Sequence, residues 1–85
     1  MKTAKKKIPK RKNPKPHPVD VHVGGRIKQF RLLREMTQSD IANQIGVKFQ
    51  QVQKYETGFN RISASRLYLI AEALGVRIED LFGDD

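Results

Sequence analysis

Apolar residues recur at helical spacing over residues 21–82, and no stretch alternates apolar and polar residues for long enough to predict a strand. The first stripe consists of Val23, Ile27 and Phe30, at positions i, i+4 and i+7. Residues at this spacing share one face of an α-helix. The stripe therefore predicts an amphipathic helix that ends near Arg34.

The start of this first helix is marked by Asp20, a residue type that often caps helix N-termini. Gly24 and Gly25 follow within the first turns and lower the local helix propensity. We therefore place a boundary after Asp20, with a folded domain over residues 21–85 and a separate segment over residues 1–20.

A second, short helix is predicted to open at Thr37 and to end at Gly46. The Thr37 hydroxyl can accept a hydrogen bond from the backbone N–H of Asp40, and the Asp40 carboxylate can reach back to the cap. Gly46 stands where a helix usually ends in a residue with positive φ. A third helix is predicted over residues 49–57, with Gly58 after it. The residues expected to face inward from these two helices are Ile41, Ala42, Ile45, Val52 and Tyr55.

Ser63 is expected to cap a fourth helix, which Gly75 ends. Its apolar stripe recurs at i, i+3, i+4 and i+7 and consists of Leu67, Ile70, Ala71 and Leu74. Further apolar residues suggest a short fifth helix that includes Leu81 and Phe82. The predicted fold class is all-α, a compact bundle of four to five helices preceded by a basic arm.

The second and third helices, joined by a tight turn at Gly46, predict a helix-turn-helix. Ala42 is small where the two helices must approach each other closely. The outward face of the third helix has amide and cationic groups and no carboxylate before Glu56, which suits polyanionic DNA. The residues on this face are Lys48, Phe49, Gln50, Gln53 and Lys54.

Composition excludes several other kinds of protein. The chain has 85 residues, enough for one domain, and it contains no cysteine and two histidines, so neither a disulfide scaffold nor a thiolate metal site is possible. No nucleophile–base pair, paired carboxylates or glycine-rich phosphate loop is present, so we expect neither an enzyme nor a cofactor. Because no apolar run approaches the roughly 20 residues of a membrane-spanning helix and no secretory signal is recognisable, we expect a cytoplasmic, nucleoid-associated protein.

The net charge of +8 is concentrated in the arm, residues 1–20. This segment has eight lysine and arginine side chains against one carboxylate, a net charge of +7, and it also contains all four prolines. We expect it to be disordered when unbound. It is either a polycationic arm that lies along nucleic-acid phosphates or a solvated extension that aids solubility. A membrane-surface patch is less favoured, because the arm has neither an amphipathic helix nor a lipidation motif.

The segment from Thr37 to Gly58 resembles the helix-turn-helix domain of lambdoid phage repressors and Cro proteins, together with their bacterial regulator relatives. The resemblance extends over residues 23–82. Its specific elements are Thr37-Gln38, Ile41-Ala42, Ile45-Gly46-Val47, Val52 with Tyr55-Glu56 and Gly58, and Leu67 with Ile70-Ala71 and Ala73-Leu74-Gly75-Val76. It implies a sequence-specific DNA-binding transcriptional regulator, expected to bind a two-fold operator as a homodimer.

The resemblance also implies roles for individual residues. The positions that face DNA bases in relatives are Phe49, Gln50 and Gln53, with Lys48 at the edge. The positions that contact DNA phosphates are Gln38, Lys54, Asn60 and Arg61. Arg31 and Glu56 match an ion pair that joins the first helix to the end of the third. Two positions depart from the family pattern: Phe49 is either a contact to a thymine methyl or a core residue, and Glu35 stands where relatives often have glycine.

Two other functions stay open at this point. The chain could be an antitoxin or small adaptor whose main role is to bind a partner protein, with DNA binding secondary. The second open function is non-specific binding of nucleic acid, including RNA. The sequence has no paired exposed aromatic residues that could stack on single-stranded bases, which argues against an RNA-binding surface. The surface around Leu81 and Phe82 is the predicted homodimer contact, because these apolar residues are left over from the other helices.

Overall fold

A computed structural model describes residues 15–83 of the chain. Within this range there are four α-helices, one 3₁₀ turn and no strand, which confirms the predicted all-α fold. The elements are α1 (Pro18–Leu33), α2 (Gln38–Ile45), α3 (Phe49–Glu56), α4 (Ala64–Leu74) and the 3₁₀ turn (Ile78–Leu81). None of the described helices combines the length and the apolar character that crossing a membrane requires. The predicted disorder of the arm concerns mainly residues 1–14, which lie outside the described residues.

Helix α1 begins earlier than the sequence suggested. His17 is the N-cap, and its Nδ1 accepts a hydrogen bond from the backbone N–H of Val19 at 3.1 Å. Pro18 follows at the first helical position, where its missing N–H costs no helical hydrogen bond and its fixed φ favours the helix. The prediction that Asp20 caps this helix is therefore wrong: Asp20 lies in the first turn, where its negative charge complements the helix dipole.

The ends of α2 follow the prediction. The backbone N–H of Asp40 donates to the Thr37 hydroxyl at 3.0 Å, and the N–H of Thr37 donates to the Asp40 carboxylate at 2.8 Å. Gly46 has a φ of 76° and ends the helix. Because only Val47 and Lys48 separate Gly46 from α3, and Val47 packs against the core, the short turn fixes α3 relative to α2.

Two glycines allow α1 to pack closely on the end of α3. A Cβ at Gly24 would lie 2.2 Å from the carbonyl oxygen of Tyr55 and 2.7 Å from that of Glu56. Gly58, with a φ of 80°, approaches Val21 so closely that a Cβ there would lie 2.8 Å from the Val21 Cα. Gly24 is thus required by packing, which outweighs its low helix propensity.

All of the helices and the 3₁₀ turn contribute to one hydrophobic core, which consists of Val23, Ile27, Ile41, Ala42, Ile45, Val52, Tyr55, Leu67, Ile70, Ala71, Leu74 and Leu81. Leu81 is fully buried, so the prediction that it forms part of a dimer surface is wrong; Phe82 beside it is exposed.

The 3₁₀ turn is held against α1 by Arg26, whose Nε and Nη2 donate to the Asp80 carbonyl at 3.1 and 3.0 Å.

Candidate nucleic-acid interface

Helix α3 has one buried and one exposed face. Val52, Tyr55 and Glu56 are buried, while the five side chains predicted to face outward are exposed: Lys48, Phe49, Gln50, Gln53 and Lys54. No acidic residue lies in the first turn of α3, so the positive end of its helix dipole adds to the charge of Lys48 at the N-cap. This face presents amide and ammonium donors, which are suited to DNA phosphates and base edges.

Phe49 is the first residue of α3 and was predicted to be either a core residue or a DNA contact. Its side chain is 43% exposed and is not one of the buried residues that form the hydrophobic core. The structure therefore places an apolar group on the same surface as Gln50 and Gln53, where it is accessible to a partner.

A buried ion pair fixes the C-terminal end of α3 to α1. Arg31 donates from Nε to Oε2 of Glu56 at 2.6 Å and from Nη2 to Oε1 at 3.1 Å. Its Nη1 also donates to the carbonyl of Met36 at 2.9 Å, which ties down the connection after α1. The hydrogen bonds and the charge of Glu56 raise the pKa of Arg31 above its ordinary value, although burial opposes this. The guanidinium of Arg31 therefore stays charged, and its hydrogen bonds to Glu56 hold α3 at a fixed orientation.

Gln38, predicted to contact a DNA phosphate, is linked to this ion pair. Its Nε2 donates to Oε1 of Glu56 at 3.0 Å, which joins the N-terminus of α2 to the end of α3. A glutamine side chain has a second N–H and a carbonyl oxygen beyond this one hydrogen bond. The bond thus positions Gln38, and the pattern of the sequence gave no signal for it because 18 residues separate the two side chains.

Asn60 and Arg61 lie in the loop between α3 and α4. The backbone N–H of Asn60 donates to the carbonyl of Lys54 at 3.1 Å, which closes the loop onto α3. Nε of Arg61 donates to the Asp20 carboxylate at 3.0 Å, and 73% of the Arg61 side chain is exposed. The loop is thereby attached to the first turn of α1, a contact that sequence reasoning missed.

The predicted contact residues line neighbouring depressions on one side of the molecule. Gln38, Gln53 and Lys54 line a cleft of about 520 Å³, together with the exposed ring of Phe59. The Lys54 ammonium lies over this ring, 5.8 Å from its centre. Lys54 also lines a second, shallow depression, which it shares with Lys48, Gln50, Gln51 and Asn60.

Arg61 lines a third depression, which includes Lys15 and His17. The described end of the arm thus adjoins the loop that was predicted to contact phosphates. Lys28 and Phe59 were not among the predicted site residues, although both line the cleft beside Lys54. For Lys28 a signal was present, because it lies three residues before Arg31, which the family resemblance had already placed against α3.

Comparison with known sequences gives a family match and several relatives. A helix-turn-helix family model matches residues 27–81, more than half of the chain. An uncharacterized transcriptional regulator from the ATPase CF(0) region of Rhodospirillum rubrum is 57% identical over 68 residues, which are 80% of this chain and 63% of that protein. A helix-turn-helix-type regulator of Sinorhizobium fredii, y4wC, is 51% identical over 70 residues, 82% of this chain and 49% of its own length. The chain therefore spans about half of the length of one relative and about five eighths of the length of the other.

Solved structures with the same fold include two regulators. The restriction-modification controller protein C.AhdI from Aeromonas hydrophila superposes with a TM-score of 0.70 at 26% identity, over 73% of this chain and 94% of that one. The master regulator for biofilm formation SinR, crystallised in complex with DNA, superposes with a TM-score of 0.66 at 26% identity, over 72% of this chain and 98% of its own.

Proposed function

Because this chain belongs to the Cro/C1-type helix-turn-helix family, whose members are DNA-binding transcription regulators and not enzymes, we propose that it regulates transcription by binding a specific DNA sequence. The observation that carries the proposal is the outer face of α3, where every side chain predicted to read DNA is exposed. The rest of α3 is fixed by the core and by the ion pair between Arg31 and Glu56. A rigid helix with an exposed polar face is the arrangement that base readout in a major groove requires.

Within this proposal the side chains have separate roles. Base contacts come from Lys48, Phe49, Gln50 and Gln53, and phosphate contacts come from Gln38, Lys54, Asn60 and Arg61. The arm adds further phosphate contacts, since Lys15 at its described end lies beside Arg61. Phosphate contacts position the protein and supply affinity, whereas the base contacts supply specificity. This role implies a place at the nucleoid.

We further propose that two copies bind a two-fold operator. Helix α3 has eight residues and is therefore about 12 Å long, enough to read only a few base pairs. Pairing two such helices in successive major grooves, about 34 Å apart, doubles the sequence that is read. The structure of SinR with DNA supports a DNA complex for this fold. Since Leu81 is buried, apolar contacts between the copies come from exposed side chains, for which Phe82 after the 3₁₀ turn and Tyr68 and Leu69 on α4 are candidates.

The proposal is tested by selecting bound sites from random double-stranded DNA and by measuring affinity for the selected site. Gln50→Ala should weaken binding to that site by about 1–3 kcal/mol and relax the preference at one base pair in each half-site. Gln44→Ala is the matched control, because Gln44 is an exposed amide on α2 outside the predicted contact set. We expect this control to bind like the wild type.

Three outcomes would contradict parts of the proposal. If random DNA yields no enriched sequence, the chain is not a sequence-specific regulator, and the alternative of an antitoxin or adaptor that binds a partner protein is favoured. If Gln50→Ala loses affinity for selected and scrambled DNA equally, Gln50 contacts the DNA backbone and does not read a base. A single protected half-site with a 1:1 complex would refute the two-fold arrangement.

A further inference from the structure

Lys28 lies on the face of α1 that packs against α3. Gly24, four residues earlier, touches the backbone of Tyr55 and Glu56, and Arg31, three residues later, is paired with Glu56. Residues three and four apart share one face of a helix. Lys28 lies between these two contacts but is exposed, so it stands at the edge of the α1–α3 interface.

At this edge Lys28 lines the same cleft as Gln38, Gln53 and Lys54. Glu56 also lines the cleft, but its carboxylate accepts hydrogen bonds from Arg31 at 2.6 Å and from Gln38 at 3.0 Å. Because the charge of Glu56 is balanced by Arg31, the two ammonium groups leave the cleft with a net positive charge. The cleft therefore combines two cations with amide donors, which is the chemistry that binds a phosphate diester.

We propose that Lys28 binds a DNA backbone phosphate in this cleft, so that α1, which lies outside the helix-turn-helix, forms part of the DNA-contacting surface. The inference rests on the proposed DNA binding by α3. Gln53, on the base-reading face, and Gln38, at the N-terminus of α2, both border the cleft. A strand whose bases are read by α3 has its backbone beside that helix, within reach of the side chains on the cleft walls.

The contact predicts a defined change in the salt dependence of binding. Each neutralised phosphate contributes about 0.9 to the slope of log affinity against log salt concentration. Lys28→Gln should therefore lower the magnitude of the slope by about 0.9 for each bound chain. For each tenfold decrease in salt concentration, the affinity of the wild type should therefore gain roughly eightfold more per chain than that of Lys28→Gln, by a similar factor on selected and on scrambled DNA.

Two control variants separate a local contact from an effect of net charge. Lys28→Arg keeps the cation in the cleft and should keep the slope. Arg77→Gln removes one cation from an exposed position beside the 3₁₀ turn. This turn packs on α1 and α4, so Arg77 does not line the cleft that contains Lys28. It should leave the slope nearly unchanged. Both residues replaced, Lys28 and Arg77, are exposed, so thermal unfolding should show that all three variants are folded.

Ethylation interference identifies the phosphate itself. Ethylation removes the charge of single phosphates, and at the phosphate bound by Lys28 it should weaken the wild type but not Lys28→Gln. Three results would overturn the inference: an unchanged slope for Lys28→Gln, an equal change for Arg77→Gln, or the same interfering phosphates for the wild type and Lys28→Gln. In each case the proposed function stands if Gln50→Ala still loses its base preference. If the wild type selects no sequence, the proposed function itself fails.

Discussion

On the inner face of α3, Val52, Tyr55 and Glu56 are buried and every polar group has a partner, whereas on the outer face Phe49 and Gln50 are exposed. The inner face is determined by the core and by α1. Nothing within the fold requires the residues of the outer face. The two faces of one eight-residue helix should therefore respond differently to substitution: inner changes should alter stability, and outer changes should alter which DNA is bound.

The largest effect on stability is expected from Glu56→Ala. This substitution leaves the Arg31 guanidinium buried without its carboxylate and removes the acceptor of Gln38, so it should lower the free energy of unfolding by about 3–5 kcal/mol. Urea unfolding measures the difference. The matched control is Glu79→Ala, which removes a carboxylate from the exposed pair with Arg77 and should leave stability nearly unchanged. Equal losses for the two variants would mean that the buried pair does not hold α3 in place.

A smaller effect is expected where α1 meets the inner face. Gly24→Ala places a methyl group 2.2 Å from the carbonyl oxygen of Tyr55, so the two helices must separate, at a cost of about 1–3 kcal/mol. The neighbouring Gly25 has open space around its Cα. Gly25→Ala should therefore stabilise the protein by about 0.5–1 kcal/mol, because alanine favours the helix. Thermal unfolding of both variants tests the pair, and stabilisation of both would show that helix propensity, not packing, decides at these positions.

The parts of this fold that could be predicted from the sequence are those with local signals. The capping residues Thr37 and Ser63 and the positive-φ glycine Gly46 lie within a few residues of the groups they satisfy, and the structure has each of them as predicted. The predicted start of the first helix lies a few residues too late, because Pro18 belongs to the arm that is predicted to be disordered, although proline is well accommodated at the first helical position. Glu35 adopts a φ of 56°, so the end of α1 takes the left-handed conformation there without the glycine that relatives often have.

Several other features were missed because they depend on contacts between residues far apart in the sequence. The hydrogen bond from Gln38 to Glu56 and the ion pair of Arg61 with Asp20 join side chains 18 and 41 residues apart, so no local spacing indicates them. The burial of Leu81 was missed for the same reason: an apolar residue after the last predicted stripe is equally compatible with a core and with a dimer contact. The outer face of α3 could be predicted because the helical spacing that buries Val52 and Tyr55 also exposes the residues between them.

The most direct test of the difference between the two faces is the selection of bound DNA sequences by the wild type and by Phe49→Gln. Phe49 is exposed and does not belong to the buried core, so the substitution should change thermal unfolding little. An apolar side chain favours a thymine methyl, and glutamine favours adenine through two hydrogen bonds. We expect one position in each half-site to change from thymine towards adenine while the other positions are retained. An identical preferred sequence for both proteins would contradict the claim that the outer face of α3 reads DNA.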